Sequence, residues 1–222
     1  MGAVIAVVGL PREARIVGTV AVPVIAGGRV DIVRRRIDRE IEGTVSGVIS
    51  IGIAGALSPN LRVGDCVIAR EIVVGAKRFK TDMTWSDGLA GRLPEAKLGT
   101  IASLLSPAGD KAAKAALHVA TDADAVDMES GIAAEVAASR DLPFAALRVI
   151  SDGAFDSLPH AALVAMKDGG GLDLGAVMGS LLTRPLQIPR LIGTARDAGR
   201  AFRVLLRCRD LLGIGLGCPY LG

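Results

Sequence analysis

The stretch from Ala120 to Asp152, ATDADAVDMESGIAAEVAASRDLPFAALRVISD, constrains the fold of this chain more than any other segment. Apolar runs at 125–128 and 144–150 predict two buried strands, and the alanine-rich residues 130–140 between them predict a helix with one apolar stripe. Pro143 ends that helix, because proline cannot continue the hydrogen-bond ladder and disfavours the α conformation at its predecessor. The order of strand, helix and strand indicates a βαβ unit.

A carboxylate follows each of these two strands, Glu129 after the first and Asp152 after the second. Ligands of open α/β sheets bind in the crevice beyond the carboxyl ends of the strands, so we expect both acids to border a site. Each acid also has a structural alternative. Asp152 can cap a following helix, and Glu129 can be a first-turn acid that the helix dipole stabilises.

Strands and helices alternate along the remainder of the chain, which argues for an α/β fold. Further strands are predicted at 3–8, 20–25, 45–51, 66–74 and 98–105, and helices from residue 12, at 30–42, after residue 107 as far as 117, at 161–166 and at 173–182. Residues 76–93 are polar and are predicted to be an irregular loop, in which Trp85 either forms a pocket wall or anchors the loop. With 222 residues, half of them hydrophobic, we expect one domain with a central mixed, mostly parallel sheet flanked by helices.

The basic character of the chain is confined to its C-terminal end. From residue 184 onward there are seven arginines and two aspartates, a local charge of +5, which leaves −2 of the total +3 for residues 1–183. We therefore predict an α/β domain over 1–183 and a basic amphipathic extension over 184–222. Its apolar positions are Leu191, Ala195, Ala198, Phe202 and Leu205, and its opposite face holds Arg196, Arg200, Arg203 and Arg207. Such a helix can lie on an anionic membrane or cover a lipid-like substrate, or it can pack on its own core with solvated arginines.

Composition excludes several other classes of protein. Aromatic residues make up only 3%, which argues against a module that stacks nucleic-acid bases on exposed rings. Three cysteines without paired spacing indicate reduced thiols and therefore a cytoplasmic protein. The basic tail could in addition hold that protein at the inner face of the membrane. The two histidines, His118 and His160, are far apart and belong to no Cys/His cluster, so we expect no metal site.

Two glycine-containing turns follow predicted strands. Gly52 and Gly55 allow a tight turn and a close backbone approach to a ligand, although the segment lacks the lysine of a P-loop and the third glycine of a dinucleotide fingerprint. The first strand breaks at Gly9, and Pro11 and Arg12 then open a helix. That helix start can bind an anion or can be a plain turn.

Three segments together resemble the superfamily of purine nucleoside phosphorylases and methylthioadenosine/S-adenosylhomocysteine nucleosidases. They are IGIAGAL at 51–57 with LRVGD at 61–65, VDMES at 126–130, and RVISD at 148–152. The resemblance covers about residues 3–160. The short middle region and the arginine-rich tail look most like the hopanoid-associated phosphorylase branch, which is thought to act on adenosylhopane.

The resemblance implies cleavage of the N-glycosidic bond of a 5′-substituted adenosine, with release of adenine and without a cofactor. Asp152 would protonate N7 of the purine, which a carboxyl group can do near neutral pH only if burial raises its pKa. Glu129 would bind the ribose hydroxyls and stabilise the positive charge that develops on the sugar. Met128 would pack against the ribose.

The resemblance leaves the nucleophile open. The backbone of Gly52, Ile53, Ala54 and Gly55 would border the site of the nucleophile or phosphate. Hydrolysing relatives usually carry a hydroxyl residue where this chain has Ile53, and this departure weakens the case for water.

Two residue assignments near the first turn depend on the alignment and on the nucleophile. Glu13 would polarise an attacking water if the first loop is aligned with a one-residue gap; otherwise Ala14 occupies that place. Phosphorolysing relatives place arginines around phosphate, and Arg12 and Arg15 are near enough in sequence to serve. Water and a phosphate co-substrate therefore both remain as nucleophiles.

The resemblance also implies partners. We expect a small-molecule nucleoside, lipid-linked if the hopanoid branch applies, no nucleic acid, and a homo-oligomer. The departure at Ile53 and the alignment at Glu13 motivate an alternative, a non-catalytic nucleoside- or lipid-binding protein on the same fold.

Overall fold

The computed structural model describes residues 2–26, 35, 39, 45–158 and 188–221. The strands in these ranges are β1 (Ala3–Val8), β2 (Val22–Ile25), β3 (Val45–Ala56), β4 (Cys66–Val74), β5 (Lys77–Lys80), β6 (Lys97–Ser103), β7 (Ala125–Asp127) and β8 (Phe144–Asp152). The helices are α1 (Pro11–Val17), α2 (Met83–Arg92), α3 (Lys111–Thr121), α4 (Ser130–Ala138) and α5 (Ile188–Leu212), followed by a 3-10 segment at Ile214–Gly217. The helices predicted at 161–166 and 173–182 lie outside the described residues, as does that at 30–42 except for residues 35 and 39.

Five of the strands close into a ring. Strand β3 pairs in parallel with β8, which pairs antiparallel with β4; β4 is parallel to β6, and β6 is parallel to β7. Strand β7 then returns antiparallel to β3. Strands β1 and β2 extend the sheet in parallel from β3, and β5 pairs antiparallel with β4. The predicted α/β fold with a mixed, mostly parallel sheet is confirmed, and closure of the ring removes its free edges.

The predicted βαβ unit is wrong in its strand directions. Because β8 is parallel to β3 whereas β7 is antiparallel to it, β7 and β8 run in opposite directions, and they are not paired with each other. Helix α4 does connect them, as expected. A local strand–helix–strand pattern cannot specify which neighbour a three-residue strand pairs with, so the error concerned long-range pairing.

Helices cover both faces of the sheet. In β8, Ala145, Leu147 and Val149 alternate with Ala146, Arg148 and Ile150, as the two-residue period of a strand requires. The first set packs with α1, α2 and α5, and apolar residues of the second set pack with α4. Arg148 consequently points to the α4 side of the sheet, in a fully buried position.

The prediction of an irregular loop at 76–93 is wrong, since this segment forms β5 and α2. The Asp82 side chain accepts a hydrogen bond from the backbone N–H of Trp85 at 2.8 Å, which caps the N-terminus of α2. Trp85 is fully buried, and its indole N–H donates to the Leu216 carbonyl at 3.1 Å. This tryptophan is therefore a core anchor for the C-terminal segment and forms no pocket wall.

The arginine-rich tail packs on the core. The buried face of α5 consists of Ala201, Phe202, Leu205, Cys208 and Leu212, and it covers the sheet beside α1 and α2. Of the alternatives for this helix, docking on the protein's own core is the one observed, and these apolar side chains are not available to a bilayer. Within the described part of the chain, no helix combines the length and the apolar character that crossing a membrane requires.

Candidate active site

Glu13 lies at the third position of α1, where it is almost fully buried. Its Oε2 accepts hydrogen bonds from the backbone N–H groups of Gly9 and Leu10, at 2.9 and 2.8 Å. Its Oε1 accepts from the N–H of Ile53 in β3, at 2.8 Å. Glu13, and not Ala14, is therefore the side chain that links the first loop to the glycine-containing segment.

Burial raises the pKa of Glu13, against the opposing effects of Arg148 and of the three backbone N–H groups. Burial disfavours the charged form of a carboxyl group, whereas donors to the carboxylate favour it. A carboxylate whose pKa lies above its ordinary value is a better proton acceptor than an exposed one. Glu13 therefore has the chemistry of a general base.

Arg148 connects the acids of the site. Its Nε donates to Asp127 Oδ2 at 2.6 Å, and its Nη2 donates to the Ser50 hydroxyl at 2.6 Å. The same Nη2 lies 3.7 Å from Glu129 Oε2. The third nitrogen, Nη1, is buried and has no hydrogen-bond partner among the described residues. Arg148 and Asp127 thus form a buried ion pair with one donor left over, which points toward Gly52 and Glu13.

Glu129 is partly exposed and lies against the backbone of Gly9. Burial raises its pKa to about 7; Asp127 and Glu13 act in the same direction, and Arg148 opposes them. Helix α4 is capped by Asp127, whose Oδ1 accepts from the Ser130 N–H at 3.2 Å, and the Glu129 side chain makes no capping bond. Asp127 therefore has the role at the start of α4 that was considered for Glu129. The Glu129 carboxylate makes no hydrogen bond to the N-terminus of this helix.

The glycine-containing segment is a strand, and not the predicted turn, because β3 continues to Ala56. A β-carbon at Gly52 would overlap both the Arg148 guanidinium and the Glu13 carboxylate. Gly52 therefore permits these two groups to approach the strand backbone. Ala54 is buried, whereas Ile53 and Gly55 are partly exposed, as the alternation of side chains between the two faces of a strand allows.

Asp152 ends β8 beside Gly55. Ile150 pairs with Ala54 and Asp152 with Gly55, so Ser151 is an extra residue that forms a bulge. Bulges of this kind re-aim a side chain. A β-carbon at Gly55 would lie 3.0 Å from Asp152 Oδ2, which shows how close the carboxylate is to the β3 backbone.

Lys114 of α3 is the partner of Asp152. Its buried ammonium group contacts Asp152 Oδ2 and donates to the Gly153 carbonyl at 2.8 Å. The cap of the following turn is Asp156, which accepts from the Gly153 N–H at 2.8 Å. Asp152 therefore does not serve as the cap considered for it, and the buried Lys114 ammonium group faces it.

The structure thus brings most of the predicted site residues together around β3. Glu13, Glu129 and Asp152 each lie against a different glycine, Gly52, Gly9 and Gly55 respectively. Met128 is partly exposed next to Glu129. Arg12 lies apart from this group, because its guanidinium stacks over the ring of Phe202 of α5 at 4.3 Å.

Sequence reasoning assigned no role to Arg148, Asp127 or Lys114. Arg148 and Asp127 stand inside the segments that carried the resemblance, and a charged residue in an otherwise apolar strand is a signal of a buried pair. Lys114 gave no comparable signal, since a lysine in an alanine-rich helix is usually solvated.

The raised pKa of Glu129 predicts a stability change with pH. The pKa of Glu129 is about 7 in the folded protein and 4.5 ordinarily. Its contribution to the stability of the folded state is therefore fully present below about pH 4.5 and is lost as the pH rises through about 7. We expect the ionisation of Glu129 to lower the free energy of unfolding by up to about 3 kcal/mol between about pH 4.5 and pH 7. Chemical denaturation of the wild type and Glu129→Gln at a series of pH values measures it. Parallel curves for the two proteins would contradict it.

Comparison with known proteins identifies the family. The model of the Phosphorylase superfamily matches residues 19–170. No curated protein matches the sequence.

Solved structures share the fold. The native futalosine hydrolase of Helicobacter pylori superposes with a TM-score of 0.63 at 17% identity, covering 82% of this chain and 97% of that chain. A mutant 5′-methylthioadenosine/S-adenosylhomocysteine nucleosidase of the same organism, with 5′-methylthioadenosine in its active site, gives 0.63 at 17% identity, with coverages of 92% and 96%. The S-adenosylhomocysteine nucleosidase of Streptococcus pyogenes gives 0.60 at 15%, with coverages of 93% and 96%. By its family match, supported by this shared fold, the chain belongs to the phosphorylase superfamily.

Proposed function

We propose that this protein hydrolyses the N-glycosidic bond of a 5′-substituted adenosine and releases adenine. The observation that carries the proposal is the arrangement at Gly52. There the Glu13 carboxylate borders the same strand position as Nη1 of buried Arg148, which has no hydrogen-bond partner in the part of the chain that the structure describes. A water molecule there would donate to Glu13 and accept from Arg148. The family match and the shared fold with nucleosidases support the reaction type.

The charges of the site favour water over phosphate as the nucleophile. The backbone N–H groups of Gly9, Leu10 and Ile53, which could otherwise bind an anion, already donate to Glu13. The charge of Arg148 is balanced by Asp127. Among the described residues, a phosphate dianion would therefore meet the carboxyl groups of Asp127, Glu13 and Glu129 against the one cation Arg148, an excess of negative charge that repels it in a site of low dielectric.

The remaining residues fit the other parts of the reaction. The sugar gains positive charge as its bond to the base lengthens, and the Glu129 carboxylate stabilises that charge and accepts hydrogen bonds from ribose hydroxyls. Met128, beside it, contacts the sugar. Asp152, at the far end of β3, engages the purine.

The test is to incubate the protein with 5′-methylthioadenosine, with and without inorganic phosphate, and to measure adenine and the sugar product by chromatography. We expect adenine and free 5-methylthioribose in equal amounts under both conditions. A sugar 1-phosphate that forms only with phosphate would replace hydrolysis by phosphorolysis. Binding without release of adenine, from this substrate and from adenosine, would favour the non-catalytic alternative.

The hopanoid-linked substrate remains a prediction of the resemblance. The same assay with adenosylhopane in detergent tests it, and a kcat/KM for adenosylhopane above that for 5′-methylthioadenosine would support it. Equal or lower values would indicate that the lipid is not the preferred 5′ group. Self-association likewise remains a prediction, which sedimentation of the full chain measures.

A further inference from the structure

We propose that Lys114 supplies the proton that the leaving purine takes up, and that it acts through Asp152. This inference rests on the proposed function, because it assigns the source of a proton that N-glycosidic cleavage requires. The contact that carries it is that of Asp152 Oδ2 with the buried Lys114 ammonium group.

One oxygen of Asp152 faces a cation. Oδ2 contacts the Lys114 ammonium group, whereas Oδ1 lies 2.8 Å from the Ser151 hydroxyl, which is also 3.1 Å from the Ala54 carbonyl. An ionised carboxylate is an acceptor only, whereas an ammonium group is a donor only. In the contact between the two groups, Lys114 is therefore the donor and Asp152 Oδ2 the acceptor.

Burial makes this lysine unusual. Its side chain is 1% exposed, although lysines are almost never fully buried unless they are paired. Lys114 lies in the helix KAAKAALHVAT, and it is the one residue of α3 that is buried. A lysine that only solubilised the helix would point to water, as Lys111 does one turn earlier.

In the proposed transfer, one proton moves from Lys114 to the purine by way of Asp152. The C1′–N9 bond breaks and its electron pair leaves with the purine, which raises the basicity of N7. A proton passes from Lys114 Nζ to Asp152 Oδ2, and the Asp152 carboxyl group gives a proton to N7. Asp152 is again a carboxylate, Lys114 is left neutral, and it regains its proton from water after adenine departs. Lys114 is accordingly a positioning residue, which acts on the substrate only through Asp152.

Two substitutions separate proton supply from charge alone. Lys114→Arg keeps the positive charge but cannot release a proton. Lys114→Met has a similar length without charge or proton. If Asp152 works alone, Lys114→Met removes no proton that the reaction needs, so this variant would keep its activity.

We expect both variants to lose about 100-fold or more in kcat for adenine release from 5′-methylthioadenosine, with KM changed by less than about threefold. Lys111→Arg and Lys111→Met, in the same helix, are the matched controls and should match the wild type. Thermal unfolding of all five proteins reports on the fold.

Several outcomes would overturn the assignment. A kcat within about threefold of the wild type in either Lys114 variant would show that the proton comes from elsewhere. If both variants had a lower kcat, a higher KM and a lower melting temperature, Lys114 would have a structural role. If the wild type itself releases no adenine, the proposed function fails and this inference with it, whereas an active wild type with active variants refutes the inference alone.

Discussion

Glu13→Gln is expected to lower kcat for adenine release by about 10²- to 10⁴-fold, the usual contribution of a general base. The amide cannot accept a proton from water, although it keeps nearly the shape of the carboxyl group. KM should change little, because Glu13 faces the backbone of the turn after β1 and of β3, away from Asp152. Steady-state assays with 5′-methylthioadenosine measure both constants.

Glu13 also accepts three backbone hydrogen bonds, so a structural effect must be separated from a catalytic one. The amide N–H₂ group of glutamine would face donor N–H groups, and leaving such donors unpaired costs about 1–3 kcal/mol of stability. Exposed Glu95 is a matched control, and Glu95→Gln should alter neither activity nor stability. A Glu13→Gln protein that is less stable but retains most of its kcat would show that Glu13 is only a helix cap.

Arg148→Met should cause the largest loss of stability, about 3–5 kcal/mol, because it leaves the carboxylate of Asp127 buried without its cation. Both side chains of this ion pair are inaccessible to solvent. The same change in Arg70, which pairs with exposed Asp87, should cost at most about 1 kcal/mol. Urea unfolding of the two variants and the wild type makes the comparison.

A second variant separates charge from geometry. Arg148→Lys restores a cation but not the planar fork that reaches Asp127 through Nε and Ser50 through Nη2. We therefore expect intermediate stability and a kcat well below that of the wild type, since the single nitrogen of lysine cannot bind Asp127 and lie at Gly52 at the same time. Equal stability losses for Arg148→Met and Arg70→Met would mean that the buried pair does not hold the site together.

The sequence predicts those parts of the fold that depend on local patterns. The apolar runs locate β1, β4 and β8 to within a residue or two, and the proline at 143 marks the turn before β8 correctly. The ring of strands could not be predicted, because it depends on the pairing of β7 with β3 and of β8 with β4, which are distant in sequence. The loop predicted at 76–93 failed because a short capped helix with one tryptophan has no clear apolar stripe.

In the candidate site, too, local sequence patterns select some residues, whereas others depend on long-range packing. Glu13, Glu129 and Asp152 follow strands in sequence, so strand ends and the resemblance were enough to select them, whereas their roles remain predictions. The buried partners of these acids could not be selected in the same way. Lys114 reaches Asp152 across 38 positions of the chain, and its burial is determined by how α3 packs.

The stacking of Arg12 on Phe202 has a consequence for the tail. Arg12 precedes Glu13 in α1, and two more bonds join the same region to the C-terminal end, from Arg209 to the Thr19 hydroxyl at 3.2 Å and from the Gly215 N–H to the Val20 carbonyl at 2.7 Å. The last thirty or so residues therefore brace the helix that carries the acid, from behind. A chain shortened at residue 183 would lose these contacts with α1 and the residues after it. The tail is therefore part of the support of Glu13 and is not a dispensable targeting segment.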